Sequence, residues 1–451
     1  MQDMQSIDHI FRSYDIRGIY GKDLDEEIME KIGNAFGSYC KKDIIIGRDC
    51  RIHSKSLRDA FVLGAIKAGC DVFDVGEVPL GVGMFYAWQS DREFAFITAS
   101  HLEKEWNGVK FFHADGMGYM EDENFTIRDM FLEDKSIAGK KIGKVHTIDT
   151  SEIIDEYKKF LNEKIKAERK IKVVLDPGNG MAGLVAKSLF QNSGFPAAAI
   201  YEELDGAFPN RNPEPQEDEL IELKNKIKEE RADMGIAFDG DGDRILLVDN
   251  LGRKLSPEQT AYLVLKEAVK ESGPVVANVE CTRLIDDIAK KFGKKLIRFP
   301  VGHTFLVNAA KEHKACFGIE VSGHYVLPFI FPFDDSMVVA LYAAYVLSKT
   351  GKPLSAIVDE IKPYPFAREK FEVDDKKKFI VMKSLKEKLM KEYKNTNTMD
   401  GIRIDFDNGF VLIRASNTSP IIRLTVEGNT EKGFAELMGR FSSVIKNEIK
   451  K

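Results

Sequence analysis

The residues best suited to chemistry stand in one short stretch, Asp239-Gly240-Asp241-Gly242-Asp243-Arg244. Three carboxylates at alternate positions, with glycines between them that let the chain turn sharply, can converge on one hard divalent cation. Arg244 adds a planar fork suited to a phosphate or a carboxylate. The calcium loop of an EF-hand is excluded. Counting from Asp239, the sixth position is Arg244 where a glycine is required, and the twelfth is Asn250 where an acid is required. Two other readings stay open: an aspartyl nucleophile of the phosphatase type, at Asp239 or Asp241, and an acidic turn with no ligand. Acids packed this closely repel one another unless something positive sits among them, which favours a metal.

The flanks show how such a turn is positioned. Met234 to Phe238 leads in and Ile245 to Val248 leads out, two short apolar runs that predict buried strands. The same plan occurs in three units. In the first, a strand at Asp43 to Gly47 is followed by the polar loop Arg48-Asp49-Cys50-Arg51 and a helix from Ser56 to Ala68. A second strand follows at Asp71 to Val75, then a third at Glu93 to Ile97 that ends in Thr98-Ala99-Ser100-His101. The second unit starts at Ile171, has a helix at Met181 to Asn192 and another around Glu217 to Glu230, and ends in the acidic loop. The third starts at Pro274, has a helix at Leu284 to Phe292, and ends in Glu320-Val321-Ser322-Gly323-His324. Each third strand is followed by a return run: Gly108 to Phe112, Ile245 to Val248, Tyr325 to Leu327.

Strands alternating with helices imply largely parallel sheets, with ligands beyond the carboxyl ends of the strands. The return runs make those sheets mixed. After Lys362-Pro363-Tyr364-Pro365 the pattern changes. Strands are predicted at Phe366 to Val373, Gly401 to Phe406, Gly409 to Arg414 and Ile421 to Glu427, with helices at Ser384 to Tyr393 and Thr430 to Asn447. The expected architecture is α/β: three similar α/β domains with mixed sheets, plus a C-terminal α+β domain, around a central cleft. The expected boundaries are 1–148, 149–252, 253–362 and 363–451. The segment Phe11 to Gly18 is expected as an extended arm ending in a glycine turn, and Lys376-Lys377-Lys378 as a solvated face.

The net charge of −6 argues against general nucleic-acid binding, so the positive partners of an anionic ligand must be local. The N-terminus lacks a basic start followed by an apolar core, and no secretory signal is expected. The apolar stretch Met337 to Leu347 is too short to span a membrane. Five cysteines without a CxxC pair suit reduced thiols in a cytoplasmic protein. The expected partners are small molecules, and the expected assembly is a monomer or homodimer.

Ser100 stands at a strand end, like the acidic loop. A serine hydroxyl is a weak nucleophile unless a base, a metal or prior phosphorylation intervenes, and no G-x-S-x-G surrounds it. A phosphoserine would bring roughly two negative charges. A Mg²⁺ among Asp239, Asp241 and Asp243 would accept one of its oxygens, while Lys110 and Arg244 could balance the charge. The loop Arg414 to Pro420 combines a guanidinium, hydroxyls and an amide, a set that can wrap a phosphate or form a plain hairpin turn.

Six segments in order resemble the α-D-phosphohexomutases, the phosphomannomutase/phosphoglucomutase group. They are Phe11 to Gly18, Thr98 to His101 with Asn107 to Lys110, Asp239 to Arg244, Val301 to Thr304, Gly318 to His324, and Arg414 to Thr418. The resemblance covers essentially the whole chain. It implies a phosphoserine at Ser100, which also supplies a ligand to a Mg²⁺ held by Asp239, Asp241 and Asp243. It implies Arg17, Lys110 and Arg244 around that serine, with Lys110 a candidate proton acceptor. His303 and His324 would line the cleft. Glu320 and Ser322 would hold sugar hydroxyls, and Arg414, Ser416, Asn417 and Thr418 would clamp the phosphate that is not reacting. The implied reaction is reversible phosphoryl transfer between C1 and C6 of a glucose or mannose phosphate, through a hexose 1,6-bisphosphate that also serves as activator. Phosphoglucosamine mutase is the neighbouring alternative, and a Mg²⁺-dependent sugar phosphatase using Asp239 is the alternative of another class. Two positions depart from the family's pattern. Leu102-Glu103 replaces the usual Asn-Pro after Ser-His, and Glu280 stands where many dual-specificity relatives carry Lys before Cys-Thr-Arg.

Overall fold

A computed structural model describes residues 7–133, 139, 141–416 and 420–450, with Asp375 and Lys376 described by backbone alone. Asn417 and Thr418 lie outside the described residues.

The strands form four sheets. The first contains β1 (Asp15–Ile19), β2 (Ile44–Arg48), β3 (Val72–Glu77), β4 (Glu93–Ile97), β5 (Trp106–Phe112) and β6 (Val145–Thr147), in the order β1-β5-β4-β2-β3-β6. The second contains β7 (Val173–Asp176), β8 (Ala197–Ala199), β9 (Met234–Phe238) and β10 (Ile245–Asp249), in the order β10-β9-β7-β8. The third contains β11 (Val275–Asn278), β12 (Leu296–Phe299), β13 (Phe317–Ile319) and β14 (Tyr325–Val326), in the order β12-β11-β13-β14. In all three, one strand (β2, β7 or β11) pairs in parallel with the next two of its unit (β3 and β4, β8 and β9, β12 and β13), and the return strand (β5, β10 or β14) runs antiparallel to the last of these. The threefold plan inferred from the strand spacing is thus one topology repeated, and it brings three equivalent strand-end loops to one cleft.

The fourth sheet is wholly antiparallel. It contains β15 (Phe366–Glu372), β16 (Thr396–Asn397), β17 (Ile402–Phe406), β18 (Gly409–Ala415) and β19 (Ile421–Gly428), in the order β15-β19-β18-β17-β16. Strand alternation divides its faces. Val411, Ile413, Ile422 and Leu424 pack against the helices Asp375–Glu392 and Glu431–Ile449. Phe410 and Leu412 face the third domain and pack on Val279. Arg414 shares their face.

Several elements differ from expectation. The arm at Phe11 to Gly18 enters the first sheet: β1 pairs with β5, setting Arg17 opposite Gly108 and Asp15 opposite Lys110. A Cβ on Gly108 would meet the Ile16 carbonyl at 1.9 Å, so the strands approach closely only because that position is glycine. The helix expected at Met181 to Asn192 divides into a 3₁₀ turn, Met181–Leu184, and a helix, Ala186–Asn192. The C-terminal helix expected from Ser384 begins at Asp375 and takes in the lysine run. Lys377 is exposed but Lys378 is buried, so that run is not a uniformly solvated face. The run Met337 to Leu347 lies in the helix Ser336–Thr350, which is buried almost throughout and passes through the core shared by the first three sheets. An all-round apolar helix is stable only inside such a core. No helix among the described residues is long and apolar enough to cross a membrane.

Candidate active site

Ser100 is fully buried at the end of β4 with φ +52°, a left-handed conformation that costs a non-glycine residue energy and turns the side chain toward the second domain. Its Oγ donates to Asp239 Oδ2 at 3.1 Å. Its N–H donates to Thr98 Oγ1, which in turn donates to Asp49 Oδ2 at 2.7 Å. The two glycines of the acidic loop have different tasks. A Cβ on Gly240 would meet the Ser100 carbonyl oxygen at 2.6 Å, so a side chain there would push the two domains apart. Gly242 has φ +77° and supplies the turn.

Asp239 Oδ1 accepts the backbone N–H groups of Gly242, Asp243 and Arg244 at 3.1, 3.0 and 3.1 Å, which fixes the loop's shape. The Ser336 hydroxyl donates to the Gly242 carbonyl at 2.5 Å and ties the loop to the central helix. Ligand oxygens of Asp239, Asp241 and Asp243 lie within 4.8 Å of one another. Among the described residues, Oδ1 of Asp241 and Oδ1 of Asp243 have no hydrogen-bond partner. Buried acceptors without donors, all of them oxygen, fit a hard divalent cation.

Lys110 sits on the other side of the triad. Its Nζ is 3.0 Å from Asp241 Oδ2 and 2.7 Å from Asp243 Oδ2. Burial alone would lower its pKa, but Asp241 and Asp243 outweigh burial and hold it raised, so the amine stays charged. Burial, opposed by Lys110 and Arg244, likewise leaves Asp243 below the usual carboxylate range, whereas burial beside Asp243 and Asp241 pushes Asp239 well up. Arg17 lies nearby, its Nη2 paired with Asp15 Oδ2 at 2.6 Å.

Arg244 Nε donates to His324 Nε2 at 2.9 Å. A guanidinium can only donate, so that nitrogen presents its lone pair and the ring proton belongs on Nδ1. Nδ1 faces Asp334 Oδ2 at 2.9 Å. His303 stacks 5.6 Å from His324. Burial, with Lys110, lowers His303 to about 4, and burial with Arg244 holds His324 and His101 well below the ordinary imidazole value. All three are neutral at neutral pH. Glu320, after β13, is pushed up to about 7 by burial, which Arg244 opposes and Glu280 reinforces.

Arg17, His101, Arg244, His303, Glu320 and His324 line one cleft of about 730 Å³. Ser322 is exposed on its wall. Arg414 and Ser416 are buried on the far side, on the fourth domain, with Arg414 Nη2 3.1 Å from Asp400 Oδ2.

Three contributions went unseen in the sequence. Arg51, fully buried, donates through Nη1 to the carbonyls of Glu103 and Trp106 (2.7 and 3.1 Å) and through Nη2 to those of Ser100 and Leu102 (2.8 and 2.6 Å). Asp49 holds its Nε at 3.1 Å. The serine loop, which lacks the usual Asn-Pro, is therefore shaped from outside by one guanidinium. Asp334 brings a carboxylate oxygen to 2.9 Å from His324 Nδ1. Arg368 and Arg423 join Arg414 around Glu280. The signal for Arg51 was its place in the loop after the first strand of a repeated unit. Asp334 directly precedes Asp335, the N-cap of the helix Ser336–Thr350, and carried no signal of its own.

Family models match four successive stretches: phosphoglucomutase/phosphomannomutase α/β/α domain I at residues 8–138, domain II at 153–252, domain III at 256–364, and the C-terminal domain at 369–443. The chain belongs to the phosphoglucomutase/phosphomannomutase family. It is 33% identical over 445 residues to a Thermococcus kodakarensis protein named phosphoglucomutase/phosphomannomutase, covering 95% of this chain and 96% of the relative. It is 31% identical over 442 residues to a Methanopyrus kandleri protein named "Probable phosphoglucosamine mutase", covering 97% of each. A crystal structure of a phosphoglucomutase/phosphomannomutase family protein from Burkholderia thailandensis superposes with a TM-score of 0.89 at 28% identity, over 98% of both chains.

Proposed function

We propose that this phosphohexomutase moves a phosphoryl group reversibly between C1 and C6 of a glucose or mannose phosphate. The observation that carries the reading is the meeting of Ser100 with the acidic loop. A nucleophilic oxygen from one domain touches a triad from another, with Lys110 and Arg244 beside it and an arginine-lined wall across the cleft. Asp239, Asp241, Asp243 and an oxygen on Ser100 would hold Mg²⁺, which would supply positive charge to the phosphoryl oxygens.

The phosphorylated Ser100 donates its phosphoryl group to the free hydroxyl of the sugar phosphate: the P–Oγ bond breaks, a P–O bond to the sugar forms, and the hydroxyl proton passes to a base. The resulting hexose 1,6-bisphosphate turns over in the cleft and returns its other phosphoryl group to Ser100. Lys110, at hydrogen-bond distance from Asp241 and Asp243, stands where its charge would stabilise the transferring phosphoryl group. His303 is neutral, and its Nε2 has no partner among the described residues, so it is the imidazole free to take the proton. Arg17 and Arg244 hold the phosphoserine, Glu320 and Ser322 hold sugar hydroxyls, and Arg414, Ser416, Asn417 and Thr418 hold the other phosphate. On this reading residues 1–148 carry the phosphoserine, 149–252 the metal, 253–362 the sugar grip and 363–451 the phosphate clamp.

The phosphatase reading is disfavoured because Oδ1 of Asp239 is fixed by three backbone N–H groups, while its Oδ2 meets the hydroxyl of Ser100, a second candidate nucleophile in the same site. A phosphoglucosamine substrate is the second reading, favoured by the Methanopyrus kandleri relative. The test is turnover of glucose 1-phosphate, mannose 1-phosphate and glucosamine 1-phosphate with Mg²⁺ and a trace of hexose 1,6-bisphosphate. Wild type converts the preferred sugar to its 6-phosphate, and Ser100→Ala falls to background. Near-normal turnover by that variant would sink the assignment.

A further inference from the structure

The fourth sheet carries a concentration of positive charge that its own domain neutralises only in part, through Asp400 beside Arg414. Strand register sets Lys370 of β15 opposite Arg423 of β19, and Arg423 opposite Arg414 of β18. Arg368, two residues before Lys370, is on the same face. Like charges directly across neighbouring strands are destabilising. An anion seated against such a row relieves that repulsion.

Two acids approach this row. Asp400 pairs with Arg414. Glu280 reaches in from the third domain, after β11, and is 2% exposed. Its Oε1 lies 3.6 Å from Arg414 Nη1 and 3.6 Å from Arg423 Nη1, and its Oε2 lies 3.6 Å from Arg368 Nη2. Burial disfavours its charged form, but the three arginines outweigh burial and hold its pKa below the ordinary value. The contacts are nevertheless loose. At 3.6 Å they are ion pairs beyond good hydrogen-bond distance. Among the described residues, Oε1 of Glu280 and the Nε atoms of Arg414 and Arg423 have no hydrogen-bond partner. One carboxylate, with a single charge and two oxygens, underfills a pocket of three guanidinium forks. A phosphate monoester, with roughly two charges and three free oxygens, matches it better.

We propose that Glu280 is an internal substitute for phosphate: its carboxylate sits in an anion site made by Arg368, Arg414 and Arg423, and the substrate's non-reacting phosphate takes its place there. The inference rests on the mutase reading. It adds Arg368 and Arg423, which lie outside the loop Arg414 to Thr418, to the groups that hold phosphate. It also gives the departure at position 280 a physical role: the residue bridges the third and fourth domains without ligand and sets how tightly phosphate binds.

Titration calorimetry of the full chain with inorganic phosphate tests it. Glu280→Gln removes the competing charge and is expected to tighten phosphate binding about tenfold. Arg423→Gln weakens binding, and in the double variant the gain from Glu280→Gln disappears, which separates this site from the one beside Ser100. Glu280→Asp, which keeps the charge but shortens the reach, tightens binding by a smaller factor and stands in if the glutamine variant folds poorly. Unchanged or weaker phosphate binding by folded Glu280→Gln or Glu280→Asp would make Glu280 a fixed structural partner and overturn the proposal. So would loss of glucosamine 1-phosphate turnover in Glu280→Gln with glucose 1-phosphate turnover retained, because the carboxylate would then be recognising an ammonium. If wild type turns over no sugar phosphate, the mutase reading fails while the phosphate titrations still decide the fate of the arginine site.

Discussion

The acidic cluster beside Ser100 and the arginine cluster beside Glu280 face each other across one cleft and solve opposite problems. In the first, three aspartates are crowded into a buried loop, and a lysine from another domain lies at 2.7 and 3.0 Å from two of them. In the second, three arginines crowd around one carboxylate from another domain, and no contact is shorter than 3.6 Å. The acidic side is closed by tight, hydrogen-bonded charge, while on the basic side the link to the neighbouring domain, through Glu280, is loose. A tight buried pair fixes geometry and is costly to break. A loose one gives way to a ligand that fills the space better. On the proposed function the difference would match the work asked of each side, since the serine and the triad would keep one geometry while the far phosphate would leave and return each time the intermediate turns.

The largest test removes the cation from the acidic side. Lys110→Met leaves Asp241 and Asp243 buried without their partner and is expected to cost about 3–5 kcal/mol of stability in metal-free buffer. Mg²⁺ should restore much of that loss, because a ligand that binds only the folded state stabilises it. Equal denaturation midpoints for the variant and wild type in chelator would break the comparison, since the acidic side would then be as loosely held as the basic one. A smaller effect is expected at Arg51, which shapes the serine loop through four carbonyls. Arg51→Lys cannot reproduce the two-sided fork and should lose about 1–3 kcal/mol, with kcat falling more than KM rises, because Ser100 is misaligned while the far phosphate site is untouched. A fall confined to KM would assign Arg51 to binding instead.

The smallest expected effect comes from Glu320, which lies between the clusters and senses both Arg244 and Glu280. Its folded pKa is raised from the ordinary 4.5 to about 7. The folded state therefore holds the proton more tightly than the unfolded chain. Stability from this group is full below pH 4.5 and is lost as pH rises toward about 7. Glu320→Gln is expected to lack that loss, so its melting temperature relative to wild type should rise between pH 5 and pH 8. A difference that does not change with pH would show that Glu320 titrates at its ordinary value and that the two clusters do not meet at this residue.

The sequence by itself determined a good deal. Repeated strand, loop and helix runs fixed three like units and a fourth of another kind, because hydrophobic period is local and survives divergence. Asp239 to Arg244 marked a candidate cation site, because three acids packed this closely repel one another unless something positive sits among them. Helices such as Glu26–Cys40 and His303–Glu312, and the entry of β1 into the first sheet, were not legible, because their partners are distant and their local patterns weak. Only the tertiary structure decided what surrounds each charge. Lys110 is 131 residues from Asp241, Arg51 is 49 from Ser100, and Arg414 and Arg423 reach Glu280 from another domain. Chain order carries no information about such meetings: electrostatic energy depends on separation in space and on burial, and both exist only once the domains have closed on one another.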